Sequence, residues 1–376
     1  MTTEKHPKYR WDVSAVLFGT LLVAVTCVPV YGFMYGFEPA LWIGFGIFLA
    51  WNGMSITAGY HRLWAHKSYQ AHWLVRIGYA LGGALSIQNS IKVWASNHRT
   101  HHRYTDDVDQ DPYSAKRGLW FSHMGWMLRD YPASQTDFAN VKDLERDPIV
   151  VWQHRYYWPL VILMNIIVPM TIGAMLGDMW GGLLLIGFLR LVICHHTTFF
   201  INSLAHFWGN QPYSDRHSAR DNGILALLTY GEGYHNYHHT FQWDYRNGVR
   251  WYHFDPSKWL IAALAKARLA SNLKVAAPEL IEKSRAAMQL KKATVTLSAF
   301  DSSTKDRWLA LLDDEYEQLV SKINEWAAIR QQWVDLKKAD LKKRWDETEL
   351  ASKLQQLEQE LNLQRQQWHM LTQQFA

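Results

Sequence analysis

Four long apolar stretches constrain the fold of this 376-residue chain more than any other feature. Three of them contain no charged residue and the fourth contains only Arg190; they occupy residues 13–37, 39–60, 156–177 and 180–205. A helix needs about 20 apolar residues to cross the hydrocarbon core of a bilayer, so each stretch is long enough. Buried helices of soluble proteins rarely stay free of charge for so long. The sequence therefore predicts an all-α integral membrane protein with four transmembrane helices.

The basic residues predict how these four helices are oriented. The short connections inside the two helix pairs carry Glu38 and Asp178 but no Lys or Arg, whereas basic residues precede the first helix and follow the second. Lys and Arg accumulate on the cytoplasmic side of membrane proteins. We therefore expect two helical hairpins with both termini in the cytoplasm, where residues 62–154 and 207–278 form a helical cap.

Three short clusters contain eight of the 18 histidines. They read HRLWAH from His61 to His66, HRTHH from His98 to His102, and HNYHH from His235 to His239. On a helix, positions i, i+3 and i+4 share one face, so each HxxHH cluster presents three imidazoles together. Its adjacent pair, about 100° apart, can face two neighbouring metals. The i, i+5 spacing of the first cluster corresponds to roughly 140° on an α-helix, which predicts two separate metals or a helix end.

The number and type of these side chains indicate the kind of site. Imidazole binds iron, copper, nickel and zinc, and eight imidazoles exceed the four ligands of a tetrahedral zinc. They fit two metals with four or five nitrogen ligands each. The chain has only two cysteines, Cys27 and Cys194, which excludes thiolate clusters and a disulfide framework. A net charge of +5 gives little support to nucleic-acid binding.

The end of the fourth apolar stretch is expected to add a ninth imidazole. Asn202 and His206 are four residues apart there and share one helix face. His195 and His196 lie about 15 Å deeper in the same helix. We expect those two to line a lipid tunnel or to bond a neighbouring helix rather than to bind metal.

Carboxylates close to the clusters are candidates for orienting the histidines. Asp107 and Asp111 follow the second cluster, and Glu232 precedes the third. A metal-binding imidazole usually donates its outer N–H to a carboxylate, which fixes the ring. A hydrated acidic loop is the alternative interpretation of the two aspartates.

Segment 73–95 is apolar as well, but Arg76 and Lys92 lie near its ends. A fifth span here would put the later histidine clusters on opposite sides of the membrane. We therefore predict an interfacial or buried helix rather than a transmembrane helix.

The three clusters, together with NSLAH from Asn202 to His206, resemble the membrane fatty acyl desaturases of the stearoyl-CoA Δ9 type. The surrounding sequence is similar too, including FSHMGW at 121–126, GEGYHNYHHTF at 231–241 and DPSKW at 255–259. The resemblance extends over about residues 12–270. It implies four spans, a bent tunnel for an acyl chain and a cytoplasmic non-haem diiron site that uses O2.

The resemblance also implies roles for individual residues. Carried over by position, one iron would bind His61, His102, His206, His235 and His239. The other would bind His66, His98, His101 and His238, with Asn202 reaching it through water. The implied product is a cis double bond, at the Δ9 position, in a saturated acyl chain. Because the chain contains no haem, flavin or ferredoxin motif, two electrons would come from cytochrome b5 or a ferredoxin-reductase-type flavoprotein.

The sequence does not determine which acyl carrier the substrate uses. Asn89, Trp94 and Arg129 are the expected substrate contacts. Acyl-CoA enzymes of the family often read WARDH before the second cluster, whereas this chain reads WASNH from Trp94 to His98. The carrier is therefore a CoA thioester, an acyl-carrier-protein thioester or a membrane lipid.

The chain is expected to divide into a membrane domain, 1–278, and a polar helical extension, 279–376. In the extension 31 of 98 residues are charged, against 42 of the 278 before it. Two apolar sets alternate four-three spacing as in coiled coils, at 312, 316, 319, 323, 326 and 333 and at 350, 354, 357, 361, 368, 371 and 375. The charged stretch 337–344 separates them, which allows a helical hairpin or an oligomer. Donor docking, self-association and simple packing are the candidate roles.

Two other functions are compatible with the histidine clusters. A membrane diiron hydroxylase uses similar ligands but yields an alcohol. A non-catalytic membrane metal-binding or transport protein would place its ionisable groups near the bilayer midplane, whereas these clusters follow the ends of the spans. We expect the chain to reside in a bacterial inner membrane.

Overall fold

The computed structural model describes residues 7–136, 138–338 and 349–375. Its regular structure is helical apart from two short antiparallel strands, β1 (Gln70–Ala71) and β2 (Ala270–Ser271). The chain divides into two compact units. The first comprises Met1–Asn210 and Arg216–Val275, and the second comprises Gln211–Asp215 and Ala276–Ala376.

Four helices of the first unit are long and apolar enough to cross a membrane. They are α1 (Trp11–Tyr35), α2 (Pro39–Ala65), α7 (Tyr157–Met175) and α8 (Met179–Phe207). Each pair is joined by a connection of only a few residues, as in a helical hairpin. The prediction of an all-α membrane protein with four spans is confirmed.

Short helices between and after the spans build the cap. They are α3 (Trp73–Ala84), α4 (Ile91–Tyr104), α5 (Leu119–His123), α6 (Pro148–Arg155), α9 (Gly223–Leu228), α10 (His235–Thr240) and α11 (Pro256–Lys266). Segment 73–95 does not form one helix, because the backbone turns at Ile87 and Asn89, both with positive φ. The 12 residues of α3 cover about 18 Å, too little for the hydrocarbon core. The expectation that this segment is not a fifth span therefore holds.

A fully buried arginine ties three of the spans together. The guanidinium of Arg190 in α8 donates to Asn52 Oδ1 in α2 at 2.9 Å and to Asn165 Oδ1 in α7 at 2.6 Å. It also donates to the carbonyl of Leu85, just after α3, at 2.6 Å. A cation inside a membrane domain is costly unless its donors are satisfied. These acceptors explain how the one charge of the four apolar stretches is accommodated.

The second unit contains three long helices, α12 (Pro278–Leu297), α13 (Ser302–Lys338) and α14 (Glu349–Gln373). α13 and α14 run antiparallel, as the pairs Trp308 with Phe375 and Tyr316 with Trp368 demonstrate. The two predicted apolar seams supply its core, which includes Leu312, Leu319, Ile323, Leu361 and Trp368. The apolar side chains of the two seams therefore pack against each other within one chain, which forms a helical hairpin. Residues 339–348, which include most of the charged stretch between the seams, lie outside the described residues.

This arrangement predicts different effects for two leucines of α14. Leu361 is fully buried and Leu363 is 61% exposed. Replacing Leu361 by Ala leaves a cavity and should lower the free energy of unfolding of the second unit by about 3 kcal/mol. Hydrogen–deuterium exchange of α14 in the full chain measures this, with Leu363→Ala as the matched control. Equal exchange rates in both variants would contradict the intramolecular hairpin.

Candidate metal centre

Nine imidazoles from four separate segments converge on the cap side of the spans. They form two groups, in each of which the ligand nitrogens all lie within 4.8 Å of one another. The five-imidazole group consists of His61, His66, His98, His102 and His238, and the four-imidazole group of His101, His206, His235 and His239. The structure thus brings together all nine histidines that the sequence singled out.

The division between the two groups corrects the assignment implied by the family resemblance. His61 and His102 belong with His66 rather than with His206, and His101 belongs with His206. The reason is helical geometry. In both HxxHH clusters the residues at i and i+4 point the same way, while the residue at i+3 points to the other group.

The first cluster follows a different rule. The last part of α2, Ser55–Ala65, is wound as a π-helix, and the amide of His66 donates to the carbonyl of His61 at 3.0 Å. In an i→i+5 pattern residues five apart are one turn apart. His61 and His66 therefore enter the same group. Of the two predicted alternatives, divergence toward separate groups is wrong because it assumed α-helical winding, whereas the helix end is confirmed, since the helix ends at Ala65 and His66 is its C-cap.

Two carboxylates determine which ring nitrogen of their partner imidazole carries the proton. Asp111 is buried, and its Oδ1 lies 2.9 Å from His101 Nδ1. Glu232 Oε2 lies 2.9 Å from His61 Nδ1. A carboxylate can only accept, so the proton sits on each Nδ1 and the lone pair of Nε2 faces the centre. Asp111 and Glu232 occupy the positions expected from the sequence.

A third imidazole is oriented through a serine. Ser218 Oγ donates to Asp106 Oδ1 and accepts from His206 Nδ1 at 2.8 Å. Sequence reasoning named Asp107 instead of Asp106. The carboxylate of Asp107 accepts from the backbone amides of Asp109 and Gln110 and contacts none of the nine imidazoles. The positive φ of Asp106 turns the chain here, which a linear pattern does not reveal.

A buried ionic network supports Glu232. Arg62 donates to Glu232 Oε1 at 2.9 Å and lies 3.0 Å from Asp255 Oδ1. Asn247 Nδ2 donates to Glu232 Oε2 at 2.7 Å. Burial alone would raise the pKa of Glu232, but His61 and Arg62 lower it, so the carboxylate stays ionised. Sequence reasoning missed Arg62, Asn247 and Asp255, although the first lies inside HRLWAH and the last begins DPSKW.

The donor set fits metal ions. Burial, together with the neighbouring imidazoles, lowers the pKa of six of the histidines well below the usual value, so their rings are neutral: His66, His98, His102, His235, His238 and His239. Inward nitrogens approach closely, as in His61 Nε2 to His238 Nε2 at 3.0 Å. Four or five inward nitrogens within 4.8 Å of one another can offer their lone pairs to a cation placed between them. The residues present therefore suit two metals with nitrogen ligands.

A cavity of about 280 Å³ is lined both by residues of the spans and by residues of this centre. His61, His98, Asn202 and Glu232 line it near the centre, and Val13, Leu17, Ile56 and Phe199 are among its apolar lining. Two of the three expected substrate contacts, Asn89 and Trp94, line it as well, and Trp94 stacks on His98 with ring centroids 4.8 Å apart. His195 lines it and bonds the carbonyl of Ser86, as expected for a non-ligand.

Arg129, the third expected substrate contact, lies outside the cavity. It is exposed, does not line the cavity, and donates to the carbonyl of Pro7 at 3.1 Å. Its guanidinium lies over the ring of Tyr9. The structure therefore gives Arg129 a contact with the N-terminal segment, and its contact with substrate stays a prediction.

Comparison with known proteins agrees with this geometry. Residues 37–271 match the fatty acid desaturase family model. The chain belongs to the fatty acid desaturase family. It is 43% identical over 278 residues to acyl-CoA desaturase 1 of Saccharomyces cerevisiae, covering 72% of this chain and 54% of that protein. It is 38% identical over 252 residues to stearoyl-CoA desaturase 5 of Homo sapiens, covering 65% of this chain and 75% of that protein.

A third relative gives a similar picture. The probable acyl-CoA desaturase of Schizosaccharomyces pombe is 43% identical over 266 residues, which is 70% of this chain and 54% of that protein. The chain thus spans about half the length of the two yeast relatives. All nine converging histidines lie within the family match, and the long helices α13 and α14 lie beyond it.

Removing the carboxylate that accepts the hydrogen bond from His101 Nδ1 should weaken metal binding. Asp111 accepts from His101 Nδ1 and from the amides of Asp106 and Tyr113, so an Asn there must turn its NH2 toward a donor. We expect Asp111→Asn to reduce metal affinity about 10- to 100-fold. Titration with iron followed by elemental analysis measures it. Asp107→Asn is the control and should bind metal normally; equal losses in both variants would refute the assignment.

Proposed function

We propose that this protein is an O2-dependent fatty acyl desaturase that introduces a cis double bond, at the Δ9 position, into a saturated long-chain acyl thioester. One observation carries the proposal. His61 and His98 belong to the five-imidazole group and also line the cavity. An extended apolar chain in that cavity would therefore pass beside the nitrogen ligands of a redox metal.

We propose iron as the metal in both groups. A bound iron pair would supply the O2 activation and oxidising power needed to remove two hydrogens from an unactivated methylene pair. Side-chain acids and bases cannot do this at neutral pH. All-nitrogen ligation suits iron, and Asn202, which lines the cavity, is proposed to complete the four-imidazole group through water.

The contribution of the chain's own residues is to position the substrate and keep water away. Trp94 stacks on His98, so it fixes one wall of the cavity where the substrate methylenes would lie. Buried apolar walls exclude water and hold the chain in one orientation, which is how a protein raises the rate of a reaction between bound groups. Glu232 and Asp111 keep two ligand rings from rotating.

The proposed substrate is an acyl-CoA. Support comes from the relatives, whose names specify acyl-CoA or stearoyl-CoA. The WASNH sequence differs from WARDH, and its polar pair is engaged with the cap. Asn97 Oδ1 accepts from Thr136 Oγ1 at 3.1 Å, and Ser96 Oγ donates to Asn140 Oδ1 at 2.7 Å. Asn97 lines the cavity, so an amide rather than a charged pair would face the carrier.

The remaining elements of the proposal concern electrons and compartment. The reaction consumes two electrons, for which we propose a separate donor, cytochrome b5 or a ferredoxin-reductase-type flavoprotein. We propose a bacterial inner membrane with both termini and the metal centre in the cytoplasm, because basic residues flank the cap side of the spans. A catalytic role for self-association of α12 to α14 is not required by this scheme.

Expression in a host without monounsaturated fatty acids tests the function. The unmodified chain should produce a cis-monounsaturated acid, located by mass spectrometry of its lipids. His98→Ala removes a proposed ligand and should abolish the alkene, whereas His369→Ala, at an exposed position of α14, should not. Hydroxylated chains instead of alkenes would indicate the diiron hydroxylase, and unchanged lipids despite bound iron would indicate a non-catalytic metal-binding protein.

A further inference from the structure

The metal centre has a second opening that shares no lining residue with the acyl cavity. Ala65, His66, Arg99, His102, Arg103, Gln242 and Trp243 line it. His66 and His102 are the two members of the five-imidazole group that are not fully buried. Arg103 is exposed and Trp243 is 41% exposed. Solvent therefore reaches the edge of two rings of the five-imidazole group through an opening whose lining is separate from that of the acyl cavity.

The chemistry of the site requires such an access route. If the proposed function is correct, each turnover needs two electrons and two protons from outside, and the acyl chain fills the first cavity. Among the described residues, these two ligand rings border an opening that a bound acyl chain leaves free. Electrons can therefore enter through His66 and His102 without crossing the substrate.

The charges around this opening favour one kind of partner. Arg99 and Lys67 share a single carboxylate, Asp143, at 2.7 and 2.8 Å. In the part of the chain that the structure describes, Arg103 has no ion pair with a carboxylate; its guanidinium lies near the ring of Tyr104. Arg99, Lys67 and Arg103 thus carry three positive charges, against the single negative charge of Asp143. Basic rims steer acidic partners and raise their association rates.

The exposed side chains at the rim are also the types that dominate protein interfaces. Trp and Arg are enriched among residues that carry most of the binding energy. Transient redox complexes bury little surface, so one tryptophan and one arginine can account for much of the affinity. We infer that the opening lined by His66, His102, Arg103 and Trp243 is the docking site for the electron donor, a small redox protein with an acidic face. This inference rests on the proposed function.

Two variants of the full, iron-loaded chain test it. Arg103→Glu reverses a rim charge, and Trp243→Ala removes the exposed ring. Lys116→Glu and Trp251→Ala are matched controls, because both positions are exposed and neither lines the opening. The donor probes are the soluble domain of cytochrome b5 and a [2Fe–2S] ferredoxin. Affinity for each oxidised donor is measured directly at low and high salt, and turnover is measured with reduced donor and with dithionite.

We expect both rim variants to bind the preferred donor at least tenfold more weakly at low salt, and Arg103→Glu to lose most of the salt dependence. Donor-driven turnover should fall through a higher KM, whereas dithionite-driven turnover should match the unmodified protein. Donor binding and KM unchanged in both rim variants, or changed equally in the controls, would overturn the inference. No alkene from the unmodified chain with dithionite would instead overturn the proposed function, so the two failures are distinguishable.

Discussion

Four or five neutral imidazoles whose inward nitrogens converge form a ligand set for a cation. The cap of this protein places nine such rings in two adjoining groups, with inward nitrogens as close as 2.8 Å between His66 and His98. The surrounding helices hold the rings in this arrangement. Each ring comes from a helix end or a short helix. Where the structure records a partner for the outer nitrogen of a ring, that partner is a residue of the cap.

Two arginines connect the separate segments that carry these rings. Arg62, next to His61, joins α2 to Glu232 and Asp255 of the later cap. Arg99, next to His98, donates to the carbonyls of Trp64 and Ala65 at 2.8 and 2.9 Å and so fastens α4 to the end of α2. Neither arginine belongs to the imidazole groups. Both directly follow a histidine of the five-imidazole group, so the same short motif supplies a proposed ligand and the bond that positions it.

The sequence was sufficient for the spans and for the identity of the nine histidines, because apolar length and HxxHH spacing are local properties. It was insufficient where the backbone departs from regular geometry. The π-helical winding of Ser55–Ala65 placed His61 and His66 in one group, and the positive φ at Asp106 made that residue, not Asp107, the partner of Ser218. The position of Arg129 outside the cavity could not be predicted either, because no spacing rule fixes the direction of a long exposed side chain.

The central claim is that the two imidazole groups hold one metal ion each. Anomalous X-ray scattering at the iron absorption edge, from crystals of iron-replete protein, tests it most directly. The account predicts two peaks, one bounded by His61, His66, His98, His102 and His238 and the other by His101, His206, His235 and His239. A single peak, a peak outside these rings, or a zinc edge in place of iron would contradict it.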